Sequence, residues 1–408
     1  MPDTYLPLTP VETTLEASAG WSANPTIEWL ILEGWKVQST AELLRRFSEN
    51  LRAQGIPLSR TFCLVPILHP LYVGLGYRWR YGSDEVWSGY GEHGVREQPE
   101  FLNNPISAVM KDGYDAVRIR IDRSYVRGTY SLIDDIQDEG GTDYLVVPLS
   151  FCNRDRTALS FTTDHPAGFT PAQLKMLTDV APVMARLVER EALRQTAETL
   201  LDTYVGHDAG HRILNGQIRR GSSETIYAAI WYSDLRHFTE ISETLPHDET
   251  VAMLNTYFEA QTTAIEAAGG QVLKFIGDGL MAIFPVLEGD TPEVACNGAL
   301  AAYEAADREV KAINIDRKNQ GLKVLDYGVA LHLGEVSYGN IGSPTRMDFT
   351  VIGPAVNLAF RMEPLERETG IRPLMSEVFA RESRRDVTPI GTYRLKGIAQ
   401  DQTLYKLA

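Results

Sequence analysis

Residues 273–285, LKFIGDGLMAIFP, set two strongly apolar runs on either side of Gly277-Asp278-Gly279. Apolar runs joined through so short a glycine-rich link fold back on each other as a β-hairpin, because Gly and Asp tolerate the positive φ of tight turns. A hairpin this apolar needs partner strands beside it and helices above it, so this half of the chain is expected to be an α+β layer structure. The turn alone accounts for an Asp at position 278. A role in chemistry requires a second carboxylate and an anion-binding partner elsewhere.

The surrounding segments supply that architecture. TIYAAIWYSD is an apolar strand ending in Asp234, and YAAIWY is expected to lie centrally in the sheet. HDETVAMLNTYFEAQTTAIEAAGG has an acidic first turn and Gly-Gly after its last turn, the marks of a helix. TPEVACNGALAAYEAADREVKAINIDRK is an Ala-rich helix. LDYGVALHLGEVSYGNIG reads as a pair of strands and MDFTVIG as another. PAVNLAFRMEPLERETG places Pro354 where a helix start accepts it. If the strand ending at Asp234 pairs with the hairpin, both carboxylates meet at one sheet end. They would repel there unless a divalent cation lay between them. Mg²⁺ favours a few carboxylates together with substrate phosphates.

Upstream, residues 1–24 are a Pro/Thr-rich arm. STAELLRRFSENLRAQG opens on a Ser/Thr cap and stops at Gly55, as a helix does. RTFCLVPIL, LYVGLGYRWRYG, YLVVPLSF and TALSFTTD read as strands, the last two as a central pair. FTPAQLKMLTDVAPVMARLVEREALRQTAETLLDTYVG starts at Thr-Pro and keeps a helical period over many turns. Residues 191–222 form a helical join whose Leu193, Ala197, Leu200 and Leu201 are spaced as in a parallel helix pair, over too few heptads for a coiled coil. His207, Asp208 and His211 lack a third strong ligand and make a weak metal candidate.

At 408 residues the chain accommodates two or three cores. Its net charge of −15 argues against a nucleic-acid partner and against docking on anionic membranes, while a nucleotide remains accessible through Mg²⁺. Cys63, Cys152 and Cys296 have no zinc spacing and read as buried small hydrophobes of a reducing compartment. No apolar run reaches 18 residues and the N-terminus lacks a signal-peptide pattern, so a cytoplasmic protein without a membrane span is expected.

YSDLRHFT, LKFIGDGLMAIFP and FTVIGPAVNLAFRME, in that order, closely resemble the catalytic domain of class III nucleotidyl cyclases over about residues 223–408. The resemblance implies a ferredoxin-like βαββαβ sandwich and two metal ions, Mg²⁺ or Mn²⁺, on Asp234 and Asp278. It places phosphates against the backbone of Leu235, Arg236, His237 and Phe238. Asn357 would orient the ribose, and Arg361, one turn further on, would stabilise charge on the transferred phosphorus. Lys274, four residues before Asp278, and Thr350, seven before Asn357, correspond to the base-reading positions. Lys donates to adenine N1 and a hydroxyl accepts from the amine, so the pair implies ATP. Guanylyl cyclases typically carry Glu and Cys there. Lys396 matches a phosphate-contacting lysine. The aspartate motif usually continues Arg-Gly-Phe, whereas here it reads Arg236-His237-Phe238. The family divides its site between protomers, which implies a homodimer.

Residues 25–190 resemble a GAF-type sensor domain, in overall pattern and in the closing HPAGFTPAQLKMLTDVAPVMARLVE. That resemblance implies a small-molecule pocket, for which Trp79, Trp87, Tyr90, His69 and Arg118 are candidates. The expected function is an adenylyl cyclase under N-terminal control. The alternatives are a guanylyl cyclase, a silent cyclase fold serving as an interaction module, and a constitutive enzyme with a structural N-terminal domain.

Overall fold

The computed structural model describes residues 24–153 and 155–408; the N-terminal arm expected over 1–24 lies, but for Asn24, outside them. The chain divides into two compact units, residues 1–197 and 198–408.

The first unit opens with α1 (Pro25–Leu32) and α2 (Thr40–Ala53), the latter capped by the Ser39 side chain at the Glu42 amide. Strands β1 (Arg60–Pro66), β2 (Tyr72–Arg80) and β3 (Trp87–Glu92) follow, then the short helices α3 (Pro99–Leu102) and α4 (Pro105–Met110). Next come β4 (Val117–Arg120), α5 (Ser131–Asp138), β5 (Asp143–Ser150) and β6 (Arg156–Thr163). They build one antiparallel sheet in the order β3-β2-β1-β6-β5-β4. Helix α6 (Pro171–Asp179) begins at a Thr170/Gln173 capping box, and α7 (Ala181–Val205) runs through the boundary between the units. One sheet face packs Cys63, Val65, Tyr77, Trp79, Leu159 and Phe161 against α1, α2, α6 and α7. Parts of β4–β6 on the other face meet α4 and α5 through Ile106, Val109, Ile133 and Ile136. This is the mixed sheet-and-helix architecture that the sequence pattern predicts for the unit.

The second unit starts with α8 (His207–Leu214), after Gly206 takes φ 92°. It continues β7 (Ser223–Leu235), α9 (Phe238–Thr244), α10 (His247–Ala267), β8 (Gln271–Ile276), β9 (Gly279–Pro285), α11 (Pro292–Asn319) and β10 (Tyr327–Ser343). The order β10-β7-β9-β8 with this connectivity is a βαββαβ sandwich, and β7 is central, as its all-apolar body requires. Further elements are β11 (Arg346–Ile352), α12 (Pro354–Met362), α13 (Pro364–Thr369), β12 (Leu374–Ser376), α14 (Glu377–Ser383), β13 (Val387–Tyr393) and β14 (Gln402–Leu407). The last three strands extend the sheet as β13-β14-β12, and β11 pairs with the far end of β10. Helices α10, α11 and α14 cover one face through Trp231, Tyr257, Ala299 and Phe379. Helices α8 and α12 with β11 cover the other through Ala209, Ile230, Phe349, Val351 and Ala359.

Two local expectations, a strand pair and a buried cysteine, are corrected. LDYGVALHLGEVSYGNIG is not two strands, because Tyr327–Ser343 is continuous. Gly334 does not break it; a Cβ there would stand 2.7 Å from that of Ala355, so the glycine gives α12 room to settle on the sheet. Cys152 is exposed, unlike Cys63 and Cys296, since it sits in the turn after β5. His207, Asp208 and His211 form no metal site: Asp208 accepts from Arg212 at 2.7 Å and from the Tyr338 hydroxyl at 3.0 Å.

Candidate active site

The hairpin β8–β9 pairs Ile276 with Gly279, leaving Gly277 and Asp278 as a two-residue turn. Gly277, not Asp278, takes the positive φ, 65°. That is the arrangement of a turn with glycine at its first central position. On β7, Asp234 lies one residue beyond Ser233, which pairs with Leu280 just after the turn. The two carboxylates therefore meet at one end of the sheet, as the pattern predicted. Burial first, and then the charge of Asp278, push Asp234 up to about 7. Arg367 Nη2, 3.7 Å away on an exposed side chain, offsets this only in part.

A buried acidic layer supports this end. Glu366 is fully buried and accepts from the Val329 and Leu374 amides at 2.7 and 3.2 Å. Glu363 is 3% exposed, and its Oε1 has no hydrogen-bond partner among the described residues. A Cβ on Gly328, the residue paired with Asp234, would fall 2.3 Å from Glu366 and 2.9 Å from Glu363. Arg236 faces this layer: its guanidinium donates to the Glu366 carbonyl and lies 3.6 Å from the carboxylates of Glu366 and Asp326. Its amide donates to the Asp326 carbonyl at 2.8 Å. Leu235 is core, His237 holds φ 59° with its ring 3.5 Å from Glu240, and Phe238 packs on the core at the start of α9. Sequence reasoning missed Glu363, Glu366 and Arg367. Their pattern is an ordinary polar helix, and only the tertiary fold brings them beneath Asp234.

The remaining candidates lie elsewhere on the unit. Thr350 on β11 pairs with Gly339, whereas Asp234 pairs with Gly328 on the same strand. Those positions are eleven residues apart on β10, roughly 36 Å along an extended strand. Thr350 is 5% exposed and its Oγ1 has no partner. Lys274 comes to the same strand, its Nζ 3.7 Å from Asp348. Asn357 and Arg361 are exposed on α12 one turn apart. Lys396 is exposed in the β13–β14 connection. The protein thus brings Asp234 to Asp278 and Lys274 towards β11, while Lys396 meets none of the other candidates.

The donor set suits a divalent cation. Two carboxylates converge, burial penalises the charge of Asp234, and with no third ligand among the described residues the remaining positions would fall to substrate oxygens and water.

Residues 222–408 match the model of the adenylate and guanylate cyclase catalytic domain. An adenylate cyclase of Anabaena cylindrica is 34% identical over 164 residues, 40% of this chain and 32% of that protein. Adenylate cyclase 1 of Rhizobium meliloti is 30% identical over 180 residues, 43% of this chain and 26% of the relative. The chain therefore spans a third or less of these relatives' length. Among solved structures, the adenylyl cyclase CyaB from P. aeruginosa is 25% identical, covering 46% of this chain and 96% of that one with a TM-score of 0.42. The guanylyl cyclase Cya2 is 28% identical, covering 45% and 92% with a TM-score of 0.40. The second unit carries an adenylate and guanylate cyclase catalytic domain. Among the described residues, no helix is long and apolar enough to cross a membrane.

Proposed function

We propose that the protein is an adenylyl cyclase, forming 3′,5′-cyclic AMP and pyrophosphate from ATP at a site shared by two copies of the chain. The observation that carries this reading is the convergence of Asp234 and Asp278 at the sheet end, on a domain matched to cyclases. In this reading Asp234 and Asp278 hold two divalent cations, Mg²⁺ or Mn²⁺. Bound there, the ions lower the pKa of the ribose 3′-hydroxyl and neutralise charge on the α-phosphate and the leaving pyrophosphate. The backbone at His237 and Phe238 receives phosphate oxygens, since the Arg236 amide is already engaged by Asp326. Leu235 and Arg236 hold that turn in place.

Lys274 and Thr350 read adenine. The buried, unpartnered Thr350 hydroxyl supports this, because an exocyclic amine would satisfy it. Asn357 orients the ribose and Arg361 stabilises charge on the phosphorus; both side chains are exposed and make no hydrogen bond or ion pair among the described residues, which fits residues offered to a second copy. Lys396 takes a phosphate. Catalysis is positioning and electrostatics, without a covalent intermediate. The first unit regulates this output.

The test is cyclic AMP formation by the purified full chain with ATP and Mn²⁺, beside Asp278→Ala. Product from the wild type and none from the variant is expected. No product from a confirmed dimer would overturn the reading in favour of a silent cyclase fold, and turnover of GTP in preference to ATP would make it a guanylyl cyclase.

A further inference from the structure

The first unit's sheet is covered unevenly. Alternation along β1 sends Cys63 and Val65 into the helical core and Arg60, Phe62 and Leu64 to the opposite face. Along β2 the residues facing that same side are Gly74 and Gly76, and on the edge strand β3 they are Gly89 and Gly91. The register pairs Gly74 with Gly91 and Gly76 with Gly89, so four glycines form one block bare of side chains. Helices α3 and α4 stand over this block without filling the space. A cavity of about 290 Å³ remains, with Phe62, Trp87, Phe101 and Ile106 among its walls.

We propose that this cavity binds a small planar aromatic acid. The flat floor carries the first half of the argument. A Cβ at Gly76 would stand 2.9 Å from the Phe62 ring, and one at Gly89 would stand 2.5 Å from the Trp87 indole. The glycines thus let both rings lie close to the sheet, where they present apolar walls to a third ring. Aromatic faces in offset contact favour such a guest beyond simple burial.

Charge carries the second half. The chain is acidic overall, yet the cavity is lined by two arginines, Arg60 and Arg96, and by no carboxylate. The Arg60 side chain is 11% exposed and has one ionic partner, Glu139, at 3.4 Å. Glu139 also pairs with Arg80, so its charge is shared. A guanidinium withdrawn from water with half a counter-ion is matched by a carboxylate entering beside it. Of the residues expected to line a pocket here, Trp87 and Tyr90 do so. Trp79 lies in the core on the other face, His69 lies tilted against Tyr72, and Arg118 pairs with buried Asp143 at 2.7 Å.

The site belongs to the first unit and is tested by binding alone, so its outcome is independent of the cyclase reading. The experiment titrates the full chain calorimetrically with 2-naphthoate and with its neutral isostere 2-naphthamide. One saturable site is expected, with naphthoate preferred at least about tenfold, the equivalent of one charge-assisted hydrogen bond. Arg60→Gln should erase that preference and leave naphthamide binding in place. Gly91→Leu, on an edge strand with ordinary backbone and its nearest neighbour Val95 at 3.4 Å, should fill the cavity and abolish binding of both probes. Thermal unfolding of each variant checks that it is folded, and Gly91→Leu decides should Arg60→Gln fail to fold. Equal affinity for the two probes, no binding up to about 1 mM, or binding indifferent to Gly91→Leu would overturn the proposal.

Discussion

His332 shows how a single residue can report on the state of the second unit. It lies on β10, 9% exposed, with Nδ1 2.8 Å from the Ser376 hydroxyl, and burial lowers its pKa to about 4. An unfolded chain takes up that proton near 6.5, whereas the folded one refuses it until about pH 4. The contribution of His332 to stability is therefore fully present above pH 6.5 and is lost as pH falls from 6.5 towards 4. Because the raised carboxyl of Asp234 works in the opposite direction over the same range, the decline should appear as the difference between wild type and His332→Gln in thermal unfolding followed between pH 7 and 5. An unchanged slope in the variant would assign the acid sensitivity to other groups. Base choice is the other residue-scale question. Replacing Lys274 by Glu together with Thr350 by Cys should reverse the hydrogen-bonding sense of the base site. The expected outcome is an ATP-to-GTP turnover ratio lowered by at least about tenfold, the scale of one or two buried hydrogen bonds. Asp234 and Asp278 were legible because each ends or turns an apolar strand, where a charge needs a reason. Glu363, Glu366 and Arg367 were not, because burial of a helix's polar face is decided by what packs on it.

Two elements would set the geometry of the proposed site, the β8–β9 turn and helix α12. Gly277 has φ 65° and nothing within 4 Å of an added Cβ, so its requirement is purely one of backbone. Gly277→Ala should cost about 1 kcal/mol, while Gly277→Asn, tolerant of the left-handed region, should cost less. Denaturant unfolding with cyclic AMP assays on both variants checks this; equal losses would deny the turn its strained position. Gly334 poses a steric requirement instead. Gly334→Val would push against Ala355 at the start of α12 and displace Asn357 and Arg361, with a loss of about 1–3 kcal/mol typical of overpacking. Turnover should fall further than stability alone explains. The sequence pattern suggested a pair of strands where β10 runs unbroken through this glycine. A missing side chain looks the same in one dimension whether the chain turns or another element approaches. The hairpin and the long helices were legible, by contrast, since their patterns are local.

At the scale of the whole molecule the decisive feature is the distribution of the candidate residues. Thr350 and Asp234 pair with β10 positions eleven residues apart, and the exposed side chains of Asn357 and Arg361 have no partner among the described residues. On the proposed reading, one copy of the second unit would offer half of each of two sites, and two copies related by a two-fold axis would complete both. Asp278→Ala and Arg361→Ala should each abolish cyclic AMP formation when purified alone. Mixed and allowed to exchange subunits, they should recover activity, because the heterodimer keeps one site with an intact Asp278 from one copy and an intact Arg361 from the other. With random exchange half of the dimers are mixed and each carries one working site, so recovery should approach about a quarter of the wild-type rate. Complete silence of a mixture shown by native mass spectrometry to contain heterodimers would place the whole site within one copy. Recovery, followed by the same assay on residues 198–408, would then show what the first unit adds. An identical rate without it would make that unit structural.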